Sequence, residues 1–179
     1  ADYYIDEQNL NNVISINDSE VLFGDQSLII LNTKTNTHRK PYDSAIEKEL
    51  GISMDSIKIS SISKDSNENF YIGTRSDHGI IVLSEKGMKV DQYFPLLPDP
   101  VSGKVPRTIV GEIAVDKSDR LWIPLYNVGL STFSLVDKKF ELHTPDPNNK
   151  NSLSDAQIET IMIDNSGAIW LGAARSLMN

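Results

Sequence analysis

Short runs rich in β-branched and aromatic residues alternate along the chain with polar turns rich in Asn, Asp, Ser and Gly. Bulky apolar residues occupy every second position in runs such as Ile113-Ala114-Val115 and Ile161-Met162-Ile163. A period of two residues is typical of strands, whereas an amphipathic helix spaces its apolar residues three and four apart. The pattern therefore predicts an all-β fold made of many short strands.

One segment of this pattern occurs three times at a spacing of about 50 residues, around Asp65, Asp116 and Asp164. In each copy aliphatic residues precede the Asp by six and three positions, an aromatic residue follows six positions later, and Gly or Pro follows after eight. A weaker copy with a shorter first turn ends at Gly24, in register with Gly73. A steady period of this length indicates a repeat protein.

Each copy contains four short strand-like runs, which is the content of one propeller blade. The sequence predicts an all-β β-propeller fragment of about three and a half four-stranded antiparallel blades. A helical turn that Ser44 caps and Gly51 ends is predicted within the second blade. The predicted parts of this single propeller domain are a degenerate blade at 1–43, a second blade with a short helical insertion at 44–100, a third at 101–150 and an incomplete fourth at 151–179.

The residues that recur in the copies are predicted to be structural. An Asp at a strand end bonds nearby backbone N–H groups, and a group repeated in every blade cannot be reserved for one active site. The aromatic residues are expected to pack between adjacent blades. The Gly residues are expected to end strands where a Cβ would hinder the turn, and Pro124 should lie at an edge or outside a ladder. These structural positions are Asp65, Asp116, Asp164, Tyr71, Trp122, Trp170, Gly73 and Gly172.

The loops between the second and third strands of each blade differ in sequence, while the strands around them agree. Function commonly lies in such loops on a fixed scaffold, although solvated loop positions would show the same variation. In a propeller these loops share a face with the links between blades. The candidate ligand-binding residues are Arg75, Asp77, His78, Tyr126, Asn127 and Arg175.

Composition and motifs argue against several kinds of function. Lys and Arg number 17 against 25 Asp and Glu, a net charge of -8, so a nucleic acid is not an expected partner. There is no Cys, and His38, His78 and His143 lack partners at ligand spacing, so no metal site is expected. No phosphate-binding loop or nucleophile elbow occurs. We therefore expect no catalytic residue and no cofactor in this fragment, which is predicted not to be an enzyme.

No apolar run approaches the roughly 18 residues that span a bilayer, so direct membrane insertion by this segment is not expected. The first residues do not form a signal peptide, and the chain is expected to be an excised piece.

The segment from Leu153 to Gly172 resembles the two-component regulator propeller repeat. It carries the family's spaced Ile residues, its Asp, its Gly-containing turn and its Ile-Trp-Leu-Gly strand. The third blade matches through Asp116, Leu121-Trp122-Ile123 and Gly129-Leu130, and the second through Asp65 and Tyr71-Ile72-Gly73-Thr74. The departures are Pro124 for Gly, Ala173 for Thr, Tyr71 for Trp and the degenerate first blade.

The resemblance implies the extracytoplasmic, periplasmic sensor region of a hybrid two-component histidine kinase of Bacteroides type, detecting an oligosaccharide or other small ligand. The kinase domain of such a protein is absent from this chain. Two alternatives are a propeller-type lyase or hydrolase, which would need a His–Glu or metal constellation, and a protein-interaction propeller without a small ligand.

An open arc of blades would expose the apolar flanks of its terminal blades. The chain is therefore expected to pair with the remainder of its parent propeller or to self-associate.

Overall fold

The computed structural model describes residues 12–24, 27–42, 47, 51, 53, 55, 57–75, 78–84, 89–93, 110–137, 139–173 and 176–178. Within these residues the strands form four antiparallel sheets, and each sheet joins strands that follow one another in the chain. The first strands of consecutive sheets contact one another, so they form the inner edge of an arc.

Each sheet is one blade. The first blade contains β1 (Val13–Asn17), β2 (Glu20–Gly24), β3 (Leu28–Asn32) and β4 (Thr37–Arg39), and the second contains β5 (Ile59–Lys64), β6 (Phe70–Thr74), β7 (Ile80–Ser84) and β8 (Lys89–Tyr93). The third contains β9 (Ala114–Val115), β10 (Arg120–Leu125), β11 (Gly129–Ser134) and β12 (Lys139–His143), and the fourth contains β13 (Ile158–Ile163), β14 (Ile169–Ala173) and β15 (Ser176–Met178).

Three four-stranded blades and one with three described strands confirm the predicted all-β propeller fragment of about three and a half blades. Most of the predicted helical insertion lies outside the described residues. Glu47 has helical backbone, and Gly51 has a φ of 67°, the left-handed conformation common after a helix end. The predicted blade boundaries remain predictions.

The core lies between the blades, because side chains alternate between the two faces of each strand. On β6, Phe70 and Ile72 face the first blade and pack with Leu22 of β2, whereas Tyr71 faces the third blade. Trp122 of β10 packs in turn against Ile158 and its neighbours in the fourth blade. Each fully buried aliphatic side chain contributes about 1.5–3 kcal/mol.

Gly24 ends β2 as predicted, but Gly73 and Gly172 each lie one residue before the end of their strand, which corrects the prediction for these two. Gly73 is in β6 and Gly172 in β14, and each faces an irregularity in the inner strand of its own blade. A Cβ at Gly73 would lie 2.7 Å from Ser60 Oγ, and one at Gly172 would lie 2.5 Å from Thr160 Cγ2. At both positions glycine therefore makes room for a side chain of the inner strand rather than for a turn.

Pro124 lies within β10, a strand with neighbours on both sides. Its ladder with β9 is short and includes only Leu121 and Trp122. Beyond this ladder the Gly111 N–H donates to the Pro124 carbonyl at 2.8 Å. Pro124 thus lies where β9 no longer pairs, and its missing N–H interrupts no bond of that ladder.

Candidate ligand site near the propeller axis

The repeated Asp residues are engaged within their own blades. The Asp116 carboxylate accepts hydrogen bonds from the backbone N–H groups of Ser118 and Arg120, at 2.8 and 3.0 Å, and from Trp122 Nε1 at 2.9 Å. Asp164 accepts equivalent bonds from two backbone N–H groups and from Trp170 Nε1 at 2.9 Å. Each carboxylate therefore fixes a turn and an aromatic ring together.

The second blade has the same arrangement with a tyrosine. Asp65 accepts bonds from the backbone N–H groups of Asn67 and Asn69, both at 2.9 Å, and from the Tyr71 hydroxyl at 3.0 Å. Tyr71 lies between the second and third blades. Trp170 is half-buried and lies on the face of the fourth blade that is turned away from the third.

The pKa of Asp164 is shifted by these bonds. The Ser166 hydroxyl and the Trp170 indole N–H donate to the carboxylate and hold its pKa well below the ordinary value of 3.8. Hydrogen bonds to the charged form favour it, as expected for an ionised acceptor in a structural turn.

A cavity of about 760 Å³, the axial cavity, lies at the inner edge of the arc, and all four blades contribute to its wall. Its volume is within the range of roughly 300–1,000 Å³ that is common for small-molecule sites. The lining residues come from the starts of the inner strands and from the ends of the second strands. They are Asn12, Ser60, Arg75, Val110, Gly111, Glu112, Tyr126, Ile158 and Glu159.

Irregular inner strands direct part of this lining. The register of β5 against β6 shifts between Ile59 and Ser61, which makes Ser60 the extra residue. The register of β13 against β14 shifts between Ile158 and Thr160, which makes Glu159 the extra residue. A bulge of this kind redirects side chains at the rim of a sheet, and both extra residues line the cavity.

Arg75 directly follows β6 and is anchored through its backbone. Its N–H donates to the Lys58 carbonyl at 2.7 Å, and the Thr74 hydroxyl donates to the Gly79 carbonyl at 2.9 Å. These bonds hold the start of the β6–β7 loop, while the Arg75 side chain remains exposed at the cavity.

Tyr126 begins the three-residue turn between β10 and β11. Asn127 has a φ of 57° and Gly129 a φ of 134°, and the Val128 N–H donates to the Leu125 carbonyl at 3.0 Å. Left-handed residues in such turns are typical of hairpins with a bulge. The turn leaves Tyr126 49% exposed at the cavity.

The wall of the cavity also joins the blades. Ser61 Oγ donates to the Gly111 carbonyl at 3.1 Å and accepts from the Ile113 N–H at 3.0 Å. Between the third and fourth blades, Thr160 Oγ1 donates to Glu112 Oε2 at 2.5 Å. A ligand in this cavity would therefore contact the polar links that connect neighbouring blades.

The lining combines one guanidinium, two carboxylates, an amide, a hydroxyl and a phenol ring. Arg75 and Asn12 can donate hydrogen bonds, Glu112 and Glu159 can accept them, and Tyr126 offers an apolar ring with a polar tip. This set suits a small polyhydroxylated ligand. Because the carboxylates outnumber the guanidinium, a strongly anionic ligand would be repelled.

The structure brings together two of the six predicted ligand residues, Arg75 and Tyr126. His78 and Asn127 are described but do not line the cavity, and Asp77 and Arg175 lie outside the described residues. Sequence reasoning missed the contribution of the inner strands. The sequence does contain a sign of this contribution. Ser60, Gly111 and Glu159 occupy the same position of the repeat but differ in chemistry, as residues with a role in binding would.

Among the described residues, no group of three or more His, Cys, Asp or Glu side chains is arranged to hold a metal ion. A search of the same residues for a long, apolar helix that could cross a membrane also finds none.

Known structures with this fold include an extracellular domain assigned to a hybrid two-component system, a lyase and a component of a secretion system. The extracellular domain of a B. thetaiotaomicron protein assigned to the hybrid two-component systems is 21% identical, with a TM-score of 0.61; the match covers 90% of this chain and 18% of that one. Virginiamycin B lyase from Staphylococcus aureus is 13% identical, with a TM-score of 0.63; the match covers 90% of this chain and 48% of the lyase.

PorZ, from the type-IX secretion system of Porphyromonas gingivalis, is 17% identical, with a TM-score of 0.65; the match covers 92% of this chain and 25% of PorZ. The chain thus spans half or less of each of these three structures. No protein-family model and no curated protein matches it. At these identities the comparisons establish the propeller fold.

Proposed function

We propose that this chain is part of the extracytoplasmic, periplasmic sensor region of a hybrid two-component histidine kinase, and that it binds a neutral oligosaccharide in the axial cavity. The observation that carries the proposal is the cavity of about 760 Å³, which is lined from all four blades. A ligand bound there would contact every blade at once and could alter their arrangement.

The chemistry of the lining supports the ligand class. Tyr126 provides a ring face for a sugar, Arg75 donates to ring or hydroxyl oxygens, and Glu112 and Glu159 accept from sugar hydroxyls. Two carboxylates disfavour sulfated or uronic acid-rich chains. The signalling role is supported by the family resemblance of the repeat and by the shared fold with an extracellular two-component domain.

A lyase is the second candidate, because virginiamycin B lyase shares the fold. A lyase or hydrolase would need an acid–base or metal constellation at the cavity. None of His38, His78 and His143 is among the residues that line it. The arrangement of the described lining therefore favours binding over catalysis. A propeller that only binds other proteins would have no small ligand in this cavity.

Isothermal titration calorimetry of the chain with malto-, xylo-, manno- and cello-tetraose and a heparin tetrasaccharide tests the proposal. We expect heat with at least one neutral glycan and none with heparin. Arg75→Ala and Tyr126→Ala should each weaken that binding about tenfold, the effect of losing one good contact.

Arg39→Ala is the matched control, since Arg39 is an exposed arginine that pairs with Glu20 away from the cavity. It should leave the affinity unchanged. The absence of heat with every glycan, or equal weakening by Arg39→Ala, would contradict the proposed site. Turnover of a glycan or a cyclic ester would favour the lyase instead.

A further inference from the structure

The junctions between blades have a common slot for an aromatic ring. Tyr71 fills it between the second and third blades, and Trp122 fills it between the third and fourth. Each ring lies on the second strand of its blade and donates a hydrogen bond to the Asp of the preceding turn.

The first blade lacks both parts of this arrangement. Leu22 precedes Gly24 by two positions, as Tyr71 precedes Gly73, so Leu22 occupies the position of the ring. Gly24 faces the second blade as Gly73 faces the third, since a Cβ there would meet Ile59 Cδ1. The turn before β2 consists only of Asp18 and Ser19, and it is shorter than the Asp-containing turns of the other blades.

A groove of about 280 Å³ lies at this junction. Its floor is apolar and buried, and consists of Leu22 and Ile30 from the first blade and of Phe70 and Leu83 from the second. Phe70 directly precedes Tyr71, as Leu121 directly precedes Trp122 in the next blade. Because Leu121 packs beside Tyr71 at the next junction, Phe70 takes the equivalent position at this one. The groove is therefore the space that an aromatic ring occupies elsewhere in this chain.

The polar rim of the groove supplies acceptors, as the Asp does in the other junctions. Glu20 and Glu68 line the rim with Asn17 and Arg39. Glu20 accepts from Asn17 Nδ2 at 3.1 Å and from Arg39 at 3.3 Å, and a carboxylate has lone pairs for further donors. Glu68 pairs with Lys64 at 3.5 Å, so each rim carboxylate has one cationic partner and keeps lone pairs for a hydrogen-bond donor of a ligand.

We propose that the groove between the first two blades binds a free small molecule that carries an indole ring, which takes the place of the missing Trp. The ring packs on Leu22, Ile30, Phe70 and Leu83, and its N–H points to the carboxylates of the rim. A volume near the lower end for small-molecule sites leaves room for the ring and little else. This site is separate from the axial cavity and does not rest on the proposed function.

Indole is the probe, and two-dimensional amide NMR with a titration gives both the location and the affinity. We expect shifts at the amides of the four floor residues, and about tenfold weaker binding of 1-methylindole, which lacks the N–H donor. Leu22→Trp should weaken indole binding more than tenfold by filling the groove. Val136→Trp adds a Trp at an exposed turn position and should leave the affinity unchanged.

Unchanged indole affinity in Leu22→Trp, or shifts confined to other parts of the chain, would overturn the proposal. If circular dichroism shows that Leu22→Trp does not fold, Leu22→Phe provides the same test with a smaller ring. Tighter binding of N-acetyltryptophanamide than of indole would contradict a groove with room for little beyond the ring, and would indicate a tryptophan side chain of a peptide as the ligand. The response to oligosaccharides should be the same in Leu22→Trp and in the native chain, so this proposal and the axial site can fail independently.

Discussion

The carboxylate of Asp116 closes a turn with one oxygen and holds the Trp122 indole with the other. The same side chain therefore fixes local backbone and the ring that packs on the next blade. Because both partners are on one strand pair, this unit can form within a single blade. The packing between blades then uses rings that are already oriented.

Asp116→Asn is expected to lower the free energy of unfolding by about 1–2 kcal/mol, because the amide has one acceptor oxygen and cannot accept from both the turn N–H groups and the indole. Urea unfolding followed by Trp fluorescence measures the loss. Asp137→Asn is the matched control, since Asp137 is exposed and the amide oxygen can still accept from Ser134 Oγ. An equal loss in both variants would contradict the role of the indole bond.

Acid should weaken the turn at Asp164. Its pKa is lower in the folded chain than its ordinary value of 3.8, so it stabilises the fold above about pH 4 and loses this contribution as the pH falls further. We expect a shallower decline of the unfolding free energy between about pH 5 and pH 2 in Asp164→Asn than in the native chain. Urea midpoints that fall by the same amount with pH in the two proteins would contradict this role of Asp164.

The residue roles were predictable where they depend on repetition. A constant spacing from Asp to aromatic residue identified both as structural, but the sequence alone did not reveal their hydrogen bond. The cavity residue Glu159 was missed because a bulge, which has no strong sequence signature, directs it to the cavity. Arg75 and Tyr126 were predicted because variable loops on a regular scaffold mark exposed positions.

At the scale of the elements, the β10–β11 hairpin determines where Tyr126 lies. Gly129 has a φ of 134°, and a Cβ there would lie 2.3 Å from the His143 carbonyl oxygen of β12. The turn therefore needs a glycine at position 129, because any Cβ there would overlap the backbone of β12. Asn127, with a φ of 57°, occupies a left-handed conformation that Asn tolerates better than most residues.

Gly129→Ala is expected to destabilise the chain by about 1–3 kcal/mol, from steric overlap together with an unfavourable φ. Asn127→Gly, in the same turn, should have an effect of less than about 0.5 kcal/mol, because glycine accepts the same φ. Thermal unfolding by circular dichroism compares the two. Similar melting temperatures for both variants would show that the turn can shift at little cost.

At the scale of the whole molecule, the two ends of the arc present apolar side chains. Val13 of β1 is 49% exposed, and Met162 of β13 is 58% exposed beside Trp170 on the adjacent strand. Ile14 and Ile161, their chain neighbours, pack inward against adjacent blades. Each end of the arc therefore leaves one large apolar side chain in contact with solvent.

We expect this chain to self-associate through these faces, so its mass by light scattering should exceed 19.9 kDa and rise with concentration. Met162→Glu should shift the population towards monomer by charging one face. Val136→Glu is the control, because Val136 is 78% exposed in the turn between β11 and β12. A concentration-independent monomer would contradict the expectation.

Every sheet pairs strands that are consecutive in the chain, and this has a consequence for how the molecule folds. The ladders of each blade close over short loops, so most contacts have low sequence separation and a small loop-closure entropy. Folding can therefore begin in any one blade and spread to its neighbours, as in other repeat arrays. During synthesis on the ribosome, each new blade could therefore pack on the preceding one as soon as it emerges.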